Sequence, residues 1–118
     1  MIEMVSEAFK RSKESIFKRL QKAGQLTPDL EKEIVALYGQ RGARAIEAVK
    51  GRRVMLKGRR WFVRGKSGEY EVVKNFCTCR DYVMNISTEK VEVDMCYHAL
   101  AKNICQELNC YYVREPES

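Results

Sequence analysis

At 118 residues and 13.8 kDa the chain is sized for one compact domain, with room for an appended segment. A composition of 45% hydrophobic and 32% charged residues, with seven glycines and two prolines, excludes collagen-like, proline-rich and low-complexity chains. The formal charge of +6 is unevenly spread: residues 1–40 hold 7 basic and 6 acidic side chains, residues 41–66 hold 10 and 1, and residues 67–118 hold 5 and 9.

Residues 3–23 read as an amphipathic helix, with Val5, Phe9, Ile16, Phe17 and Leu20 recurring at spacings near three and four and Gly24 as its stop. Thr27-Pro28-Asp29 is a helix start: a hydroxyl cap, proline at the first helical position and a carboxylate in the first turn. The helix it opens runs over 28–38, turns Leu30, Ile34, Leu37 and Tyr38 inward, and ends at Gly39. Ala43, Ala45, Ile46, Ala48 and Val49 predict a third short helix over about 41–50.

The pattern then changes to β-branched and aromatic runs. Val54-Met55-Leu56, Trp61-Phe62-Val63 and Tyr70-Glu71-Val72-Val73 are separated by glycine turns at 58–59 and 65–68, which predicts a small antiparallel sheet of two or three strands. In the middle strand Trp61 and Val63 share one face, the better candidate for the core, and Arg60, Phe62 and Arg64 share the other. Residues 77–95 are less regular. Residues 96–108 read as a helix with Asp94 as its cap and Leu100, Ile104 and Leu108 on one stripe, and the end of the chain reads as a frayed polar tail. The fold class expected is therefore α+β: a helical region over 1–52, a small sheet and C-terminal helix forming a ββα zinc-binding module over 53–110, and a polar tail over 111–118.

The chemistry concentrates in Cys77-Thr78-Cys79 and, after sixteen intervening residues, Cys96-Tyr97-His98. Each is a pair of metal-ligand types spaced by one residue. No apolar run approaches the roughly 18 residues of a membrane span, and the opening stretch has no secretory apolar core. The expected setting is thus cytoplasmic and reducing, where thiols bind metals more readily than they form disulfides. Three thiolates and one imidazole, the latter from the sole histidine, make a complete tetrahedral set for one structural Zn²⁺. The competing readings are reduced core cysteines and an iron–sulfur cluster, although the spacing does not match the usual cluster-binding runs.

These residues resemble the SWIM zinc finger family, whose pattern is Cys-x-Cys, a variable spacer and Cys-x-His on a β–β–α framework. The resemblance covers roughly residues 54–108, including the Trp61-Phe62-Val63 and Tyr70-Glu71-Val72-Val73 strands and a helix opening Cys-Tyr-His-Ala-Leu-Ala. It departs at Met95, where the family often has proline, and at Tyr97, where it often has lysine; neither is a ligand position. The resemblance implies a module that binds DNA or proteins, some short members being partners of RecA-like recombination proteins.

Of the remaining cysteines, Cys105 lies seven residues beyond His98 on the same helical side and reads as core, and Cys110 follows the helix. Asn85-Ile86-Ser87 is a glycosylation sequon in spelling only. No phosphate loop, dinucleotide fingerprint or second histidine for a Cys–His nucleophile is present, and carboxylate pairs such as Glu31/Glu33 and Glu69/Glu71 read as surface, so no enzyme and no small-molecule substrate is expected.

Two functions compete. The basic stretch supplies Arg41, Arg44, Lys50, Arg52, Arg53, Lys57, Arg59, Arg60, Arg64 and Lys66, with Phe62 between two arginines to stack on a base, for a nucleic-acid partner. Alternatively the helices over 3–50 dock a protein partner and the zinc module is scaffold.

Overall fold

The structure, a computed structural model, describes residues 5–66 and 68–114. Three helices lead: α1 (Glu7–Ala23), α2 (Pro28–Tyr38) and α3 (Gln40–Lys50). They are followed by β1 (Val54–Lys57), β2 (Arg60–Gly65), β3 (Gly68–Val73) and β4 (Phe76–Cys77), a π-helical turn over Tyr82–Ile86, α4 (Tyr97–Leu108) and β5 (Tyr112–Arg114). The α+β class is as expected from the sequence.

Local chemistry sets the helix ends. Ser6 accepts a hydrogen bond from the Phe9 amide, so α1 begins at Glu7 rather than at residue 3. Thr27 accepts from the Leu30 amide with Pro28 behind it, as read from the sequence. Gly24 closes α1 in the left-handed region at φ 69°, where a Cβ would be strained.

The sheet is larger than expected, and its order is β4-β3-β2-β1-β5. The first four strands pair antiparallel, and β5 adds parallel to β1 through Met55↔Tyr112 and Leu56↔Val113. Residues 112–114, assigned to the polar tail, are therefore strand. Strand β5 thus covers the edge that β1 would otherwise leave with unpaired amides and carbonyls, and Tyr111 anchors the returning chain edge-on against Trp61, ring centroids 4.7 Å apart. The remainder of that tail, 115–118, lies outside the described residues. Strands β4 and β5 have two and three residues, too few for an alternating pattern to show.

All the helices lie on one face of the sheet. Helix α4 packs against β1, β2, β3 and β4, and α1 and α3 pack on α4, so one continuous core spans both regions the sequence divides at residue 52. Phe9, Leu20, Ile34 and Ile46 from the helices join Val63, Val72, Leu100 and Ile104 in it. Trp61 and Val63 face this core, as expected. Phe62 stands on the opposite face between Met55 and Glu71, and Met55 is buried there beside Phe62 and Tyr112 rather than among the helices. Lys102 is a buried cation of α4 with its ammonium 5.5 Å from the Trp61 ring centroid, and burial lowers its pKa. No helix among the described residues is long and apolar enough to cross a membrane.

Candidate metal centre

Three elements deliver the two ligand pairs to one point. Cys77 ends β4, and its pairing with Val72 turns its side chain to the helix-covered face. Cys79 follows in the loop entering the π-helical turn, and the Tyr82 amide donates to its Sγ at 3.4 Å. Cys96 is the N-cap of α4, with Sγ accepting from the Ala99 amide at 3.5 Å. His98 lies in the first turn of α4. The helix N-terminus favours negative charge on the Cys96 sulfur.

Asp94, expected as the cap of α4, does other work. Its carboxylate accepts from the Tyr38 hydroxyl at 2.7 Å and pairs with Lys13. The loop before Cys96 is thereby tied to α1 and α2. Desolvation raises the Tyr38 pKa, and the Asp94 charge raises it further.

All four ligand residues are buried, and their ligand atoms lie within 4.8 Å of one another. Nδ1 of His98 stands 3.8 Å from Sγ of Cys77. Tetrahedral zinc, with Zn–S about 2.3 Å and Zn–N about 2.0–2.1 Å, implies a sulfur–nitrogen edge of roughly 3.6 Å. The cluster thus has the size of a single-ion site, and the four residues form a group that can hold a metal ion.

The sulfurs also show why a cation suits them. The Cys79 thiol is drawn far below its ordinary value, first by a hydrogen bond from Cys77 and then by one from Cys96. The same sharing pushes Cys96 far up and Cys77 up. Three sulfurs this close cannot all carry charge unless a cation sits among them. His98 turns Nδ1 toward the sulfurs, and its Nε2 is buried with no hydrogen-bond partner among the described residues. A histidine ligand usually gives its other ring N–H to an acceptor beyond the metal, and among these residues that acceptor is missing.

An open cleft of about 670 Å³ adjoins the centre, with Cys79 and His98 in its wall. Helix α3 supplies Arg41, Arg44 and Glu47; Arg53 just before β1, Lys66 in the β2–β3 turn and Tyr70 of β3 come from the sheet and its turns; Arg80 and Asp81 follow Cys79, and Tyr97 opens α4. Arg41 forms a two-pronged pair with Asp81 at 2.7 and 2.8 Å, which holds the Asp81 carboxyl below its ordinary range. Burial raises the Tyr97 pKa, while the charges of Arg44 and Arg53 oppose that rise. Tyr97, between the two residues of the second pair, thus lines the same cleft as Arg44 and Arg53.

The basic residues expected to meet nucleic acid separate onto different surfaces. Arg53 and Lys66 line the cleft. Arg60 and Arg64 lie with Phe62 on the open sheet face; Arg60 is held by Glu71 through two hydrogen bonds and lies 5.2 Å from the Phe62 ring centroid. Arg64 is opposite Glu69 in the register. Arg52 occupies the turn after α3 in the left-handed region, Lys57 ends β1, and Arg59 is exposed in the β1–β2 turn. Arg41 and Arg44 are among the cations the sequence offers to phosphates, whereas Arg80 lies outside the basic stretch; its position beside a ligand cysteine is the signal that points to it.

Fold and site together define an α+β protein built around a buried three-cysteine, one-histidine group that can hold a metal ion. No family model matches the chain. It is 30% identical over 95 residues to a protein of Archaeoglobus fulgidus described as uncharacterized, with 75% of this chain and 80% of that one covered, and the chain belongs to the same family as that archaeal protein. No solved structure matches it.

Proposed function

We propose that the protein is a non-enzymatic, zinc-stabilised binding module of the SWIM-finger kind, and that its target is nucleic acid. The observation that carries this reading is the closed, buried ligand set of Cys77, Cys79, Cys96 and His98. Thiolate and imidazole donors favour Zn²⁺ over hard cations, and thiolates need the reducing interior of a cell. Four protein ligands leave no open position for water or substrate, so the metal serves structure. It staples β4 to the start of α4, where a short strand and a loop contribute little core of their own.

The positive charge of residues 41–66, supplemented by Arg80, supports a polyanionic target. Metal analysis of the purified protein tests the first half: one zinc per chain is expected, and a folded metal-free chain would overturn it. Fluorescence anisotropy with mixed-sequence oligonucleotides tests the second: dissociation constants on the order of 1–100 μM that weaken steeply with salt are expected.

A protein partner is the second reading. Phe76, Val83 and Met84 cluster in sequence around the first ligand pair and are 62, 51 and 48% exposed. A complex that survives nuclease and high salt, and is lost in Val83→Ser/Met84→Ser, would favour it.

A further inference from the structure

Resting on the nucleic-acid reading, we infer that the cleft beside the metal centre is a seat for the phosphates of a single strand. Five cations line it: Arg41, Arg44, Arg53, Lys66 and Arg80. Two carboxylates oppose them, Asp81, which is fully engaged by Arg41, and Glu47. Three thiolates around a divalent ion add one negative charge beside Arg41, which shares the cleft wall with Cys79. Setting Arg41 against Asp81 and one further cation against the metal centre still leaves the cleft positive, even with Glu47 counted. Arg44, Arg53, Lys66 and Arg80 show no ion pair among the described residues.

Concavity separates this surface from the open sheet face. There Lys57, Arg60 and Arg64 stand with Glu69 and Glu71, so two of the three positive charges are offset. In the cleft cations converge from three elements on a volume of about 670 Å³. That volume lies within the roughly 300–1,000 Å³ of ligand pockets and holds a nucleotide or two, whereas a duplex presents only its rim to such a hollow. The Tyr97 hydroxyl lies beside Nε2 of His98 at the cleft wall, since both crowd the Cβ position of Gly65 at 2.9 and 2.7 Å. Tyr70 and Tyr97 add the aromatic component that single-strand sites combine with a basic groove.

The test measures anisotropy of a fluorescein-labelled 12-mer, single-stranded and as a duplex, across a salt series, with inorganic phosphate and pyrophosphate as separate probes followed by amide chemical shifts. The protein is the zinc-loaded full chain. The single strand should bind more tightly than the duplex. Arg44→Gln/Arg53→Gln should weaken it about tenfold or more and reduce the salt slope by about 0.7 per cation removed. Lys66→Gln/Arg80→Gln provides an independent pair should the first perturb folding, and zinc content and melting are followed for both. Arg60→Gln/Arg64→Gln, on the opposite face, should change affinity less than twofold.

Strand binding that ignores both cleft pairs but falls in the sheet-face pair would overturn the cleft and leave the nucleic-acid reading standing. Cleft-dependent binding of the inorganic probes without strand binding would support the anion seat, assign it to a small phosphorylated molecule, and overturn the nucleic-acid reading. Binding of no probe would overturn both.

Discussion

Gly65 and His98 approach so closely that a Cβ on Gly65 would stand 2.7 Å from Nε2 of the imidazole. Gly65 is a strand residue outside the left-handed region, so glycine supplies space here rather than conformational freedom. The Tyr70 ring, 4.6 Å from the imidazole centroid, and the Tyr97 ring, 3.9 Å away, leave the histidine little room to retreat. Gly65→Ala should therefore shift the imidazole from the three sulfurs. Overpacking of this kind costs about 1–3 kcal/mol, and a loss of metal affinity of about tenfold corresponds to about 1.4 kcal/mol. Competition with a chromophoric chelator measures it, and wild-type affinity together with a wild-type melting curve would refute the contact.

Gly42 makes the contrasting case. A Cβ there would lie 2.7 Å from the Ile34 carbonyl oxygen, where α2 and α3 cross, and backbone cannot swing aside. Alanine is favoured over glycine in a helix by about 1 kcal/mol, so the clash decides the sign. Gly42→Ala should lower the melting temperature by several degrees while metal stoichiometry stays at one. A rise in melting temperature would show that the helices part without cost.

The two glycines mark what a sequence can and cannot disclose. Helices α1 to α4 were legible because their apolar residues repeat at helical spacing, and Thr, Pro and Gly mark ends of the first three, whereas α4 is capped by Cys96 and Asn109. The metal group was legible because two short pairs, each of ligand types, need no knowledge of the fold. Strands β4 and β5 were not, since two and three residues carry no period, and β5 exists because Tyr111 finds Trp61. The cleft was not, since Arg44, Lys66 and Arg80 are distant in sequence and meet only after α3 packs near the β2–β3 hairpin. Asp94 was misassigned as a cap because a carboxylate two residues before a helix resembles one, and its bonds to Tyr38 and Lys13 span 56 and 81 residues.

That Asp94 contact has a measurable consequence. Asp94→Asn retains an oxygen for Tyr38 but removes the charge facing Lys13, while Asp94→Ala strands the buried hydroxyl as well. Hydrogen bonds to charged groups contribute about 1.5–3 kcal/mol, and an orphaned partner adds a desolvation cost. Alanine should thus destabilise more than asparagine in urea unfolding. A Tyr38→Phe/Asp94→Ala cycle should show coupling of about 0.5–3 kcal/mol, and additivity would refute the link.

Cys105 and Cys110 form a second sulfur pair, with Sγ atoms 2.9 Å apart at the end of α4. Hydrogen bonding to its partner raises the Cys105 thiol and lowers that of Cys110, which is also exposed and so is the more reactive of the two. In the zinc-loaded protein a mild azodicarboxamide oxidant should take one hydrogen from each thiol and join them, with a mass loss of two hydrogens located by peptide mapping. Cys110→Ser should abolish the reaction and keep one metal per chain. Oxidation that begins instead among Cys77, Cys79 and Cys96 would contradict this ordering.

On the proposed zinc reading, metal removal is the most consequential perturbation, because Cys77, Cys79, Cys96 and His98 join β4 and its loop to the start of α4. Cys96 caps α4 and Cys77 ends β4, while α4 is the element on which α1, α3 and most of the sheet pack. Structural zinc contributes on the order of 10–16 kcal/mol in small fingers, comparable with the roughly 5–15 kcal/mol stability of a whole domain. Stripping with a strong chelator should therefore lower the melting temperature by roughly ten degrees or more, since about 1 kcal/mol moves a domain of this size by roughly 4 °C. Acid should act in the same direction, because each thiolate is also a proton acceptor and proton competition for the sulfurs grows as pH falls. Hydrogen exchange should locate the first losses at Cys77, Cys79 and the opening turn of α4, with the α1–α2 pair last to exchange. A chelated protein with an unchanged melting curve and unchanged exchange at Ala99 and Leu100 would show that the ligands pack as ordinary core.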